Sequence, residues 1–269
     1  MKLATFNING IKARLEALPA WLDRARPDVV ALQEIKSPDA AFPRTLFEDL
    51  GWQVETHGQK SFNGVALLSR MPLEDVTRGL PGDDSDEQAR WIEATVIGEA
   101  GAVRLCGLYL PNGNPVGFDD AGQPEIGGKY GYKLDWMARM RARATELLAT
   151  EEPVVLAGDY NIIPQAEDAA RPEAWAKDAL ALPESRAAFR RLEHMGYYDA
   201  FRLREPGPGH YSFWDYQAGA WERGNGIRID HLMLSPQAAD LLRDAGIDRD
   251  ARGGEKPSDH TPVWIDLAA

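Results

Sequence analysis

Short apolar runs alternate with stretches of helical period along this chain, the pattern of a layered α/β architecture. Strands are predicted at Lys2–Ile8, Asp28–Gln33, Trp52–His57, Gly64–Ser69, Trp91–Ile97, Val103–Leu110, Val154–Gly158, His210–Tyr216, Ile227–Leu234 and Thr261–Leu267. Helical spacing marks Ala13–Ala25, which Pro19 interrupts, and Glu184–Met195, with Ala188, Phe189, Leu192 and Met195 on one face. A third helix is predicted at Lys133–Leu148, where Leu134, Met137, Arg141, Ala144 and Leu148 share a face and Arg141 snorkels at its edge. These stripes have the spacing of core. No linker rich in Ser, Gly or Pro divides the chain, so residues 1–269 are expected to form a single domain. The longest irregular stretch, Pro111–Gly131, is rich in Gly, Pro and Asp, and a loop of that length is usually functional or mobile.

Several predicted strands finish on a residue foreign to an apolar run. Leu3-Ala4-Thr5-Phe6 ends on Asn7, Val29-Val30-Ala31-Leu32 on Gln33-Glu34, and Val154-Val155-Leu156-Ala157 on Gly158-Asp159-Tyr160-Asn161. Leu105-Cys106-Gly107-Leu108 meets Tyr109 and then Asn112, Asp230 follows Ile227-Arg228-Ile229, and Ser258-Asp259-His260 stands before the last strand. One such residue alone is more often a turn former or cap. The full set is expected to converge, because strand ends are where α/β folds place ligands and isolated buried carboxylates are costly. Oxygen donors dominate, with one His and no second Cys, which suits Mg²⁺ or Mn²⁺ better than zinc. There is no Gly-rich phosphate loop, zinc-protease helix or nucleophile elbow. Carboxylates, a His–Asp pair and Asn donors around a hard cation suit attack of water on phosphorus.

A formal net charge of −12 argues against a protein that simply coats nucleic acid, yet allows a locally basic face. Lys60, Arg70, Arg78, Arg90, Arg223 and Arg228 recur near the candidate segments, whereas Asp83-Asp84-Ser85-Asp86-Glu87 concentrates acid elsewhere. Cys106, the single cysteine, cannot form an intramolecular disulfide. With no membrane-length apolar run and an N-terminus that turns polar early, the expected location is the cytoplasm, away from membranes.

In its motifs the chain resembles the exonuclease III family of DNA-repair nucleases and AP endonucleases, within the endonuclease/exonuclease/phosphatase superfamily. The matching segments are Phe6-Asn7-Ile8-Asn9-Gly10, Leu32-Gln33-Glu34-Ile35-Lys36, His57-Gly58-Gln59-Lys60, Gly64-Val65-Ala66-Leu67-Leu68, Gly158-Asp159-Tyr160-Asn161-Ile162, Ile227-Arg228-Ile229-Asp230 and Lys256-Pro257-Ser258-Asp259-His260. They run in family order across nearly the whole chain. The resemblance implies a four-layered α/β sandwich of the DNase I type, two mixed β-sheets packed face to face with helices outside. It also implies roles. Glu34 would be the principal Mg²⁺ ligand with Asn7 beside it, and Asp259 an outer group or alternative ligand. Asp159 would orient or activate water, Asn161 would hold the phosphate or that water, and His260, polarised by Asp230, would contact the phosphate. Tyr109 would steady the phosphate or leaving oxygen, Asn112 would meet the DNA backbone, and Arg90 and Lys60 would lie on the binding face. Whether Asp159 or His260 is the base stays open; Asp230 favours a cationic imidazole and so favours Asp159.

The activity implied is cleavage of double-stranded DNA at abasic sites, with 3′→5′ exonuclease and 3′-phosphodiesterase action on 3′ ends. Phe213, Ile227 and Ile229 stand where family members line a small apolar pocket for the baseless sugar, while Trp214 is expected on the opposite side as a packed aromatic. The rival is a hydrolase of inositol phosphates or phospholipid head groups on the same core, which a trio without Lys or Arg disfavours. Tyr160 and Asn63 depart from the commoner family residues, and the loop after Tyr109 looks extended. A monomer is expected.

Overall fold

A computed structural model describes residues 1–99 and 101–269. One sheet holds β1 (Lys2–Asn7), β2 (Val29–Gln33), β3 (Gln53–His57), β4 (Val65–Ser69), β11 (Leu242–Ile247) and β12 (Val263–Leu267), in the order β11-β12-β1-β2-β4-β3. The other holds β5 (Leu73–Arg78), β6 (Trp91–Ile97), β7 (Ala102–Tyr109), β8 (Val154–Asp159), β9 (Tyr198–Asp199) and β10 (Asp230–Leu234), in the order β5-β6-β7-β8-β10-β9. Each sheet is mixed. Its central pair, β1 with β2 or β7 with β8, is parallel, and the other pairings are antiparallel.

The near-continuous apolar runs of the central strands follow from burial on both faces. Leu3, Val29, Ala31, Val65 and Leu67 meet Ile92, Ala94, Val103, Leu105, Val155 and Ala157 between the sheets. Their sequence neighbours point the other way. Phe6, Val30, Leu32 and Leu68 pack with Leu18, Trp21 and Leu22 of helix α1 (Ala17–Ala25). Trp91, Leu108, Val154 and Leu156 pack with Trp136, Met140, Ala144 and Leu147 of α3 (Gly128–Leu148), and with Phe189 and Leu192 of α4 (Pro183–Met195). Helix, sheet, sheet, helix is the four-layered order expected.

The departures have local causes. Ala13 belongs to a 3-10 turn, Ile11–Ala13, and α1 takes Pro19 in its first turn, where a missing N–H is harmless. α3 starts at Gly128, within the stretch expected to be irregular, and buries Tyr130, Lys133, Trp136, Met137, Met140, Ala144 and Leu147. Of the expected face, Leu134 and Leu148 sit at the margin and Arg141 is exposed, because large apolar residues occupy two adjacent faces and spacing alone did not choose between them. His210–Tyr216 is not a strand, and β10 begins only at Asp230. Phe213 instead makes single bridges to Ile227 and His260, and the Ser212 hydroxyl accepts the N–H groups of Ile229 and Asp230 in place of a ladder carbonyl. β5, β9, β11 and the short helices α2 (Arg44–Glu48), α5 (Ala200–Arg204) and α6 (Pro236–Asp240) are additional elements. The 111–127 segment is pinned rather than free: Asn114 bonds Asp178 and Ala179, and Val116 and Phe118 pack on Tyr130, Ala179 and Leu182.

Arg228, counted among the surface cations in the sequence, is 1% exposed. Its Nε donates to Asp168 Oδ1 at 2.7 Å and its Nη1 to Asp199 Oδ2 at 2.7 Å, and Asp168 also receives Arg202. Burial opposes both ionised carboxylates, but Arg228 outweighs it and holds them below the usual carboxylate range. Stability from such depressed groups is present above about pH 4, their unfolded value, and is lost as pH falls through the lower folded value. Arg228→Met should therefore cost about 3–5 kcal/mol at neutral pH by removing the cation buried between these two carboxylates, with Asp199 losing its guanidinium partner. The difference from wild type should shrink when urea melts are repeated near pH 3; a gap that widens there would contradict this account.

Candidate active site

A parallel pair brings two strand C-termini to the same edge, and here both central pairs do so. Asn7 ends β1, opposite Gln33 at the end of β2, with Glu34 next; Tyr109 ends β7 opposite Asp159 at the end of β8. The antiparallel neighbour β10 places Asp230 opposite Asp159 as well. Gly158 makes the last step possible, since a Cβ there would stand 1.9 Å from the Leu108 carbonyl oxygen. Immediately beyond the strands the chain adopts left-handed backbone at Asn9, Glu34, Lys36 and Asn161, with φ of 47°, 50°, 51° and 48°. Such conformations cost a non-glycine residue free energy and concentrate at functional sites.

The side chains form a row across the two sheets. Asn7, fully buried, donates from Nδ2 to Glu34 Oε1 at 2.9 Å and to Asp159 Oδ2 at 3.0 Å, joining a carboxylate of each sheet. Lys36 Nζ lies 2.8 Å from the second Glu34 oxygen, Oε2, and also donates to Asn9 Oδ1. On the other side His260 Nδ1 sits 2.8 Å from Asp230 Oδ2, which accepts Ser212 Oγ at 2.6 Å, while His260 Nε2 is 3.7 Å from Asp159 Oδ2. Asn161 donates its backbone N–H to Asp159 Oδ1 at 2.8 Å and receives Asn112 Nδ2 on Oδ1 at 3.0 Å.

Burial disfavours a charged imidazole at His260, but Asp230 and then Asp159 override it and raise its pKa well above the ordinary value. Burial raises Asp159 too, although His260 counters it. At Glu34 burial also raises the pKa, yet the hydrogen bonds from Asn7 and Lys36 and the Lys36 charge prevail and keep it low. Burial, aided by Glu34 and Asp159, pushes the Tyr109 phenol up, so the hydroxyl keeps its proton.

Glu34, Asp159 and His260 each offer a ligand atom within 4.8 Å of the others. Two carboxylates in a buried cluster, one of them pushed towards neutrality by desolvation, make a donor set that a hard divalent cation fits. Of the expected metal set of Glu34, Asn7 and Asp259, Glu34 belongs to this trio and Asn7 bonds two of its members. Asn7 Oδ1 accepts the backbone N–H of Asn9 at 3.1 Å and Asp259 Oδ1 accepts Asn9 Nδ2 at 3.0 Å, so Asn9 ties the Asn7 amide to Asp259.

The remaining candidates divide. Arg90 stacks its guanidinium 4.8 Å over the Tyr109 ring and bonds the Tyr109 carbonyl. The Phe213 ring lies 4.9 Å from that of His260, edge to face. Ile227 and Ile229 are 1% and 2% exposed, so they back Phe213 in a small cluster with Ile163, Ala169 and Leu180 instead of lining an open surface. Trp214 is buried against Trp221 as a packed aromatic, although its segment is not a strand. Asn112 is exposed beside Asn161, and Lys60 is exposed in the β3–β4 connection, outside this hydrogen-bonded row. Sequence reasoning passed over Asn9, Lys36 and Ser212 as site groups. Asn9 and Lys36 stand inside the quoted motifs, two residues beyond Asn7 and Glu34, whereas Ser212 carried no signal because its task is set by a contact eighteen residues away.

The endonuclease/exonuclease/phosphatase family pattern matches residues 4–260. Exodeoxyribonuclease III of Haemophilus influenzae is 35% identical, over 99% of this chain and all of its own length. Among solved structures, an AP endonuclease from Archaeoglobus fulgidus superposes with a TM-score of 0.90 at 32% identity, covering 100% of both chains. A Neisseria 3′ phosphatase bound to a product DNA hairpin reaches 0.92 at 33% identity, again with 100% of each chain covered. With strand order, site row and full-length similarity in agreement, the chain belongs to the endonuclease/exonuclease/phosphatase family, in its exonuclease III group.

Proposed function

We propose that this protein is a DNA-repair phosphodiesterase that uses Mg²⁺, with Mn²⁺ as a substitute, to cleave duplex DNA at abasic sites and to trim 3′ ends. The observation that carries the reading is the continuous row from Lys36 and Glu34 through Asn7 and Asp159 to His260, Asp230 and Ser212. Relatives named as exodeoxyribonuclease III, AP endonuclease and 3′ phosphatase support the substrate class.

Each residue then has a task. Glu34, kept ionised, is the principal holder of the cation, with Asp159 adjacent. The bound cation would supply Lewis-acid stabilisation of charge on the phosphoryl oxygens. Asp159, lifted by burial, accepts a proton as the water oxygen attacks phosphorus and the P–O3′ bond breaks. The protonated His260, anchored by Asp230, donates to a phosphoryl oxygen. Asn161 orients the water or the phosphate, Tyr109 donates its retained proton towards the leaving oxygen, and Asn112, Arg90 and Lys60 meet the DNA backbone. The Phe213 ring, backed by Ile227 and Ile229, gives the flank of His260 an aromatic surface suited to a baseless deoxyribose and poor for a polyphosphate. That surface ranks inositol phosphates and phospholipid head groups second. The protein acts as a cytoplasmic, single-domain monomer.

With Mg²⁺ the purified protein should nick a duplex at a synthetic abasic site, and chelation should stop it; an intact duplex alongside phosphate release from inositol phosphates would reverse the ranking. Asp159→Asn should lower kcat by about 10³-fold or more, as removal of a catalytic base does. Glu34→Ala should shift the Mg²⁺ titration to higher concentration before it alters the Kd for uncleaved duplex. The opposite order would remove Glu34 from the cation.

A further inference from the structure

Among the described residues Lys133 is the one lysine that is fully buried. It stands in the second turn of α3, and its Nζ donates to the backbone oxygens of Asn112 at 3.0 Å and Asn161 at 2.6 Å. Burial pulls its pKa down to about 7, with Asp178 and Asp159 opposing from a distance. An apolar side chain would serve helix packing at this position without the desolvation cost of an ammonium. What the amine adds is the pair of carbonyl contacts.

Those carbonyls belong to two segments that carry candidate site residues. Asn112 follows β7 and Asn161 follows β8, and their side chains already bond to each other at 3.0 Å. Lys133 adds a second cross-link, main chain to main chain. Asn161 in turn holds both oxygens of Asp159, through its N–H at 2.8 Å and its Nδ2 at 3.3 Å. The loop is shaped around the lysine stem: at Gly113, with φ of 91°, a Cβ would stand 2.7 Å from Lys133 Cδ. A neutral amine has two N–H donors and an ammonium three, so either satisfies two carbonyls.

We propose that Lys133 is a positioning residue, which clamps the Asn112 and Asn161 main chains together and so fixes Asp159 relative to the substrate phosphate. This rests on the reading of Asp159 and Asn161 as reaction groups. The test compares full-length wild type with Lys133→Met and Lys133→Gln, each first shown to be folded by thermal melting. Substrates are an abasic duplex and a 3′-recessed duplex with Mg²⁺, and duplex Kd is measured under chelation. For the Met variant kcat should fall about 10–100-fold, the scale of a small misplacement of reacting groups, while Kd stays within about threefold. Wild-type kcat in a folded Met variant overturns the proposal. Should Met fail to fold, Gln is read in its place; should both fail, the lysine is a core strut and the proposal falls. A wild type that cuts neither duplex refutes the substrate reading instead, and the variant ratio on bis-p-nitrophenyl phosphate then reads the clamp.

Discussion

The constraint on which the rest depends is the parallel pair at the centre of each sheet. Antiparallel neighbours send successive strand ends to opposite edges, and only a parallel pair delivers two C-termini side by side. Here β1 with β2 and β7 with β8 do this, and face-to-face packing brings the two edges together. Asn7, Glu34, Tyr109 and Asp159 therefore converge without any being close in sequence. The Asn7 amide, bonded to one carboxylate from each sheet, is the tie between the halves.

That convergence is electrostatically unfavourable unless charges alternate. Along the row they do: Lys36, then Glu34, the neutral amide of Asn7, Asp159, the imidazolium of His260, and Asp230. Every carboxylate meets a cation or a donor, with Asp159 the least compensated. Burial is why Asp159 has a raised proton affinity and why a divalent cation has somewhere to go. The left-handed residues beyond the strands add a conformational cost at the same edge, borne by the apolar strand runs that anchor them.

Much of this was legible in the sequence, for reasons that differ by element. Runs such as Val29–Leu32 and Val154–Ala157 announce strands buried on both faces, so their polar termini stand out. The edge strands β5 and β11 are half-exposed and irregular, with register shifts against their neighbours, and no pattern marks them. Phe213 alternates with Trp214 as a strand would, yet Ser212 supplies the partner that a ladder would have supplied, and periodicity cannot see that exchange. The burial of Arg228 and Lys133 was hidden for a related reason. Each depends on what packs against it from a distant segment, which a one-dimensional pattern does not carry.

The fate of the basic residues bears on how this acidic chain grips a polyanion. Thirty Lys and Arg stand against forty-two Asp and Glu, a net of −12, and many of the arginines are already engaged. Arg104 and Arg143 neutralise the buried Glu93, Arg139 pairs with Asp86, Arg78 with Glu55, and Arg228 and Arg202 with Asp168. Cations held this way add little to an external field. Any hold on a polyanion therefore falls to the cations outside these pairs, and it weakens as salt rises.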